Sequence, residues 1–182
     1  VAIPVGVYSA YRAGKAVDRA TSVASFGLLS IPNFALGVVV LQFFALRNQW
    51  LPASFDDSSF WTRIHSLFLP ATVLGLGIAA TYQRLLRTDL LTTLQEDFVH
   101  MAQAKGMTDR HIMTRHVLRP SLFSLITVFG VSTGALIGGS LVIENIFSIP
   151  GIGSEIVTAV IRDDFPVVLG SVVLIASGFV VI

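Results

Sequence analysis

The residues able to do chemistry are few, and their spacing argues against catalysis by this chain. Its histidines are His65, His100, His111 and His116, and none stands at the i, i+4 or His-Glu spacing of a zinc site. They read as ordinary surface histidines. Serine, histidine and aspartate all occur, but no nucleophile motif surrounds them. A phosphate-cradling loop needs a glycine-rich turn ending in Gly-Lys-Ser/Thr. Neither lysine, Lys15 or Lys105, sits in that context. The absence of cysteine excludes disulfides, thiolate metal ligands and cysteine nucleophiles. The chain therefore reads as non-catalytic, with no metal and no cofactor bound by itself. Its net charge of +1 gives no reason to invoke nucleic acid.

The polar groups gather instead in residues 96–120, EDFVHMAQAKGMTDRHIMTRHVLRP, the longest polar stretch in the chain. It carries Lys105, Arg110, Arg115 and Arg119, with an apolar residue every three or four positions. The spacing predicts a helix over 96–105, with Phe98, Met101 and Ala102 sharing a face and Gly106 ending it as a C-cap. A second helix starts at Thr108 or Asp109, and Pro120 marks entry to the next apolar run. Small residues at the bend, Ala102, Ala104 and Gly106, predict a compact knob with no bulky side chain at its tip. Such a knob can fit a groove on a partner. It can equally be an amphipathic linker resting on anionic headgroups, each basic residue contributing about 1 kcal/mol.

The elements that position this stretch are apolar. The chain is 53% hydrophobic and 13% charged, with mean hydropathy +0.77. Soluble domains carry about 25% charged residues, so a membrane protein is expected. We read a single all-α domain over 1–182, a polytopic transmembrane bundle. Its spans fall at about 1–11, 22–46, 67–87, 121–143 and 166–182. Pro32 predicts a kink in the second of these. Trp50 and Trp61 suit a membrane interface. The first and last spans are partial, and both ends of the sequence lie inside apolar runs, so the chain reads as part of a longer polypeptide.

Nine basic residues (Arg12, Lys15, Arg19, Arg84, Arg87, Lys105, Arg110, Arg115 and Arg119) fall on one side of this arrangement, against Arg47, Arg63 and Arg162 on the other. By the positive-inside rule the loop over 88–120 is cytoplasmic and the link over 144–165 external. No carboxylate, histidine, lysine or arginine lies within 22–46, 67–81, 121–143 or 167–182. Intramembrane ionisable groups mark proton and ion coupling, so energy for transport is expected to enter from outside the bilayer. Gly130, Gly134 and Gly138 form a doubled small-xxx-small pattern. It supports a seam to a partner subunit, a pore wall, or ordinary packing within the bundle. In the external link, Ser154 is expected to cap a short helix after Pro150-Gly151-Ile152-Gly153, and Asp164-Phe165-Pro166 to end it. That helix can lie flat on lipid or fold over a pore mouth.

Taken together, QEDFVHMAQAKGMTDRHIMTRHVLRPSL resembles the cytoplasmic coupling loop of ABC importer permeases of the dipeptide/oligopeptide/nickel branch. The resemblance rests on Asp97-Phe98, on Ala102-Gln103-Ala104-Lys105-Gly106 and on Arg115-His116. It extends to 144–153, ENIFSIPGIG, to Asp164-Phe165-Pro166-Val167, to Ser30-Ile31-Pro32 with Phe34, and to Trp50-Leu51-Pro52. The wider family begins this loop Glu-Ala-Ala, whereas His100 and Met101 stand at the first two of those positions and only Ala102 and Gly106 match. No salt bridge from position 100 is therefore carried over. The family also has a span ahead of the point where this sequence begins.

The resemblance implies a type I importer permease in a bacterial or archaeal cytoplasmic membrane. It implies a homologous second permease subunit, two cytoplasmic ATPases that bind ATP and Mg, and an extracytoplasmic solute-binding protein. The ATPase-coupling residues are then Asp97, Phe98, Met101, Ala102, Ala104, Lys105, Gly106, Arg115 and His116. The external gate comprises Glu144, Phe147, Pro150, Gly151, Gly153, Asp164 and Pro166. Pro32, Gly130, Gly134 and Gly138 serve helix packing or the pore wall. The expected cargo is di- or oligopeptides, with nickel, glutathione or another small solute as alternatives on the same machinery. Two other readings are an ion-coupled carrier and a membrane assembly protein whose basic loop only binds lipid.

Overall fold

The structure, a computed structural model, describes residues 1–137 and 141–181. Among the described residues every regular element is helical. We number the helices α1 (Ala2–Tyr11), α2 (Ala16–Ser30), α3 (Asn33–Arg47), α4 (Phe60–Thr93) and α5 (Asp97–Ala104). The helix α6 begins at Asp109–His111 and passes through a π-helical segment, Ile112–Val117, into Leu118–Ile137. The remaining helices are α7 (Leu141–Ile146), α8 (Ile152–Ile161) and α9 (Phe165–Val181). The chain divides into two compact units, Val1–Ser30 with Leu76–Phe129, and Ile31–Gly75 with Gly130–Ile182.

Among the described residues two helices are long and apolar enough to cross a membrane, α4 and α6, or three if α2 and α3 count as one broken span. At 17 residues, α9 falls just short, and α1 has 10. Large apolar side chains stand exposed along these helices, Phe123 at 72% and Leu169 at 65%. Water would not tolerate such surfaces, which suit lipid tails. Three boundaries differ from the sequence reading. Pro32 does not kink a continuous helix but separates two, its backbone extended (ψ 138°) and capping α3. The helix expected from about residue 67 already starts at Phe60 and takes in Pro70. Pro120 does not open a new helix either. It lies within α6, just beyond the π segment. Proline lacks the N–H that a regular α-turn would use there, and a locally wider turn is one way a helix absorbs that loss. One residue on, the Ser121 hydroxyl donates to the Val117 carbonyl at 2.9 Å.

In the first unit the core lies where α4, α5 and α6 meet. Tyr82, Leu86 and Leu90 form an i, i+4, i+8 stripe on α4. They pack with Val99 and Ala102 of α5 and with Ile112, Met113, Val117 and Leu125 of α6. Leu86, Leu90, Val99 and Val117 are fully buried. The second unit has its own core, Leu69 and Val73 with Ala45, Ile143 and Phe147. Side chains buried this completely have nowhere to relax when truncated. Leu90→Ala is therefore expected to destabilise the protein by about 2–5 kcal/mol, and Leu90→Met by less than about 1.5 kcal/mol. Thermal unfolding of the detergent-solubilised variants measures the difference.

Candidate functional site

The knob predicted around residues 96–120 is present and tightly specified. Glu96 is extended (φ −76°, ψ 146°) and opens α5, whose first turn carries Asp97 where a carboxylate complements the helix dipole. At the other end Gly106 has φ +76°, a left-handed conformation in which a β-carbon is strained. The Met107 N–H donates to the Ala102 carbonyl at 3.3 Å and the Gly106 N–H to the Gln103 carbonyl at 2.9 Å. That pair of bonds is a Schellman closure, and it fixes how sharply the chain turns. Thr108 then caps α6, with the Ile112 N–H on its carbonyl at 3.0 Å.

The faces of the knob differ from the sequence reading in one respect. Ala102 does not lie at the tip beside Ala104 and Gly106. It is buried with Val99 against α4 and α6. The outward face carries Phe98 and Met101, 39% and 59% exposed, and continues through Ala104, Lys105 and Gly106 to Met107. The tip is thus apolar and soft, with one lysine. Arg115 is exposed and His116 half-buried on the helix behind it, with the His111 and His116 rings 5.7 Å apart.

Within the first unit lies a polar cluster that sequence reasoning missed. Asp18, at the start of α2, is 4% exposed. Its carboxylate accepts from Arg87 Nε at 2.5 Å and Nη2 at 2.8 Å, from the Ser9 hydroxyl at 2.7 Å and from the Gly14 N–H at 2.8 Å. The bidentate fork is the strong geometry for arginine and carboxylate. Farther along the same helices, the Ser25 hydroxyl donates to Gln83 Oε1 at 2.7 Å, and Gln83 Nε2 is buried without a hydrogen-bond partner among the described residues. Arg84 lies 3.9 Å over the Phe26 ring, a cation–π contact. Arg84 and Arg87 had been counted only as basic residues of a cytoplasmic helix end. The one available signal was that Asp18 is the sole acid in the basic run over 12–19. Nothing local pairs it with an arginine 69 positions away.

The stretch over 144–166 forms a second constellation. The Glu144 carboxylate on α7 reaches the start of α8 and accepts from the Ser154 N–H at 3.0 Å. A β-carbon added to Gly151 would collide with that carboxylate, and one on Gly153 would sit 2.9 Å from both Glu144 Oε2 and the Leu141 Cα. The glycines after Pro150 thus leave room for the acid. The N-cap of α8 is therefore Gly151 and not Ser154 as expected. Ser154 sits one turn inside the helix, where its hydroxyl accepts from the Gly151 N–H at 3.0 Å. Phe147 is almost wholly buried in the second core, and its carbonyl accepts from the Phe55 N–H at 3.1 Å. Asp164 precedes α9 and Pro166 stands in its first turn, with the Val167 N–H 3.4 Å from Asp164 Oδ1. In the adjoining loop over 48–59, the Ser58 N–H holds the Asp56 carboxyl below its usual range.

The predicted small-residue stripe divides. Gly134 packs against the Phe179 ring of α9, with 2.7 Å between its would-be Cβ and the ring edge, so it serves packing within this chain. Gly130 faces open space. Gly138 lies outside the described residues. Among the described residues no three histidine, aspartate or glutamate side chains converge as a metal site.

Residues 2–182 match the family described as binding-protein-dependent transport system inner membrane component. The chain is 34% identical, over 186 aligned residues, to the oligopeptide transport system permease protein AppB of Bacillus subtilis (strain 168), covering 100% of this chain and 59% of that protein. It is 35% identical to the glutathione transport system permease protein GsiC of Pectobacterium atrosepticum, with 98% and 56% covered. To the nickel import system permease protein NikB of Staphylococcus aureus (strain USA300) it is 36% identical, with 100% and 53% covered. The chain thus spans little more than half the length of these relatives.

Removing one member of a buried ion pair leaves the other uncompensated, at a cost of about 3–5 kcal/mol, whereas an apolar replacement of both is close to neutral. Arg87 keeps part of its side chain in solvent, which places it at the lower end. Asp18→Leu and Arg87→Met are each expected to lower the melting temperature sharply, and the double variant to recover most of the loss. Thermal unfolding of the three proteins in detergent checks the sign.

Proposed function

We propose a function from the premise that this chain belongs to the family of binding-protein-dependent transport system inner membrane components. It is the membrane-spanning permease subunit of an ATP-driven importer in a bacterial cytoplasmic membrane. It pairs with a homologous permease to form the translocation path. A solute-binding protein delivers cargo on the outer side, where the 144–165 link serves as part of the gate. Two ATPases dock on the inner side and hydrolyse ATP there. The three relatives carry oligopeptide, glutathione and nickel in their names, and di- or oligopeptides are the cargo favoured by the residue pattern.

The observation that carries this reading is the construction of the knob. An exposed tip of Phe98, Met101, Lys105 and Gly106 stands on fully buried Val99 and Val117, locked to α4 through Leu86 and Leu90. A lipid-resting linker needs no such mounting. A part that must transmit displacement does, since packed interfaces switch between discrete arrangements and do not deform continuously. ATP-driven closure of the partner subunits would move the tip, and α4 and α6 would move with it. Asp97 sets the entry to α5, Ala102 and Ala104 allow close packing on either side of the knob, and Arg115 and His116 support it from α6.

Met101→Glu on the exposed tip places an unpaired charge in the proposed ATPase groove without touching the buried face. Loss of about 1.4 kcal/mol of docking corresponds to a tenfold weakening. In the complete transporter, reconstituted in vesicles with its binding protein, uptake of a peptide cargo is expected to fall about tenfold or more while basal ATP hydrolysis persists. Unchanged uptake sinks the coupling role. Parallel uptake of nickel and glutathione by the unaltered transporter decides the cargo.

A further inference from the structure

We propose that the groove between α1 and the first turns of α6 binds an anionic glycerophospholipid of the cytoplasmic leaflet. The groove has a volume of about 540 Å³ and lies within the first unit. Ile3, Val7 and Met113 supply its apolar wall, and Tyr8, Tyr11 and Arg110 its polar groups. Met113 is buried as floor, whereas Ile3, Tyr8 and Tyr11 are 43–51% exposed and leave the groove open along its side.

The charge of the site selects the occupant. Among the described residues the Arg110 guanidinium has no carboxylate and no hydrogen-bond acceptor, whereas the ion pairs that do form belong to Arg63 and Arg87. Arg12 does not line the groove but follows α1 directly and lies 5.9 Å from the centre of the Tyr8 ring, a second cation beside it. The nearest acid in sequence, Asp109, lines a neighbouring cavity and not this groove. An apolar slot lined by one guanidinium and two tyrosines matches an amphiphile with a hydrocarbon body and an anionic head. A zwitterionic or neutral lipid would fill the slot and leave the excess positive charge uncompensated. Both cations fall at helix ends on the side of the chain richest in arginine and lysine, where the cytoplasmic leaflet supplies anionic headgroups. Tyrosine is suited to that depth because its ring is apolar and its hydroxyl wet. The inference requires only residence in a membrane and stands apart from the cargo and from ATP coupling.

The test uses the complete transporter in nanodiscs containing equal phosphatidylglycerol and phosphatidylcholine, released for native mass spectrometry. Phosphatidylglycerol is expected to be retained preferentially. A surface cation contributes about 1 kcal/mol to anionic lipid, so Arg110→Gln should reduce that preference about fivefold and Arg110→Lys should largely keep it. Val7→Trp fills the slot and should reduce retention while the charge is untouched. Equal retention of the two lipids by the unaltered protein, or a preference unchanged in both Arg110→Gln and Val7→Trp, overturns the assignment. A photo-crosslinking side chain at Val7 adds a second readout: an adduct of phospholipid mass supports the site. An adduct to another protein subunit, or to another segment of this chain, shows a different occupant and overturns it.

Discussion

One buried carboxylate fixes how α1, α2 and α4 meet in the first unit. Asp18 is surrounded by donors from α1, from the turn at Gly14 and from α4, and its charge strengthens each of those bonds. A lone buried carboxylate would be expelled or neutralised. Here the arginine fork, a hydroxyl and a backbone N–H replace the water that Asp18 gives up. The arrangement ties the contiguous segment over 9–18 to Arg87 of α4, 69 positions away. Apolar packing alone specifies such positions poorly in a bilayer, because lipid tails solvate leucine as well as another helix does. Directional polar contacts are what remain to define which helix faces which.

The knob and the Glu144 turn follow the opposite logic and are written locally. At the knob, the left-handed turn at Gly106, the carbonyls that close it and the threonine that reopens the helix fall within seven positions. Such features are legible in sequence because every partner is a near neighbour. The all-helical class, the alternation of apolar and basic segments and the short helix after the Pro150 turn were legible for the same reason.

What was not legible depends on contacts over long separations. The residues of α5 are too few for periodicity to say which side meets α4, so Ala102 read as part of the tip when it is part of the seat. Neither Gln83, beside Arg84, nor Ser25 carries a local sign of its partner, and their hydrogen bond joins positions 58 apart. The continuity of α6 through Pro120 was hidden because proline is read as a boundary, while the π turn that accommodates it leaves no signature in residue type. Glu144 was recognised as part of a pattern, but its role as the acid facing the α8 N-terminus emerges only when α7 and α8 are placed side by side.

The Glu144 turn has a consequence for how this segment varies. Its carboxylate occupies the volume that side chains at 151 and 153 would need, and it also answers the N–H that the helix start leaves open. Shape and charge are thus settled by the same atoms. The three positions are sterically coupled: the acid has no room unless 151 and 153 are glycine, and Gly153 is held besides by the Leu141 Cα, 2.9 Å from where its β-carbon would stand. A side chain at 151 thus becomes possible only once the acid is shortened, so the order in which this turn can change is set by Glu144.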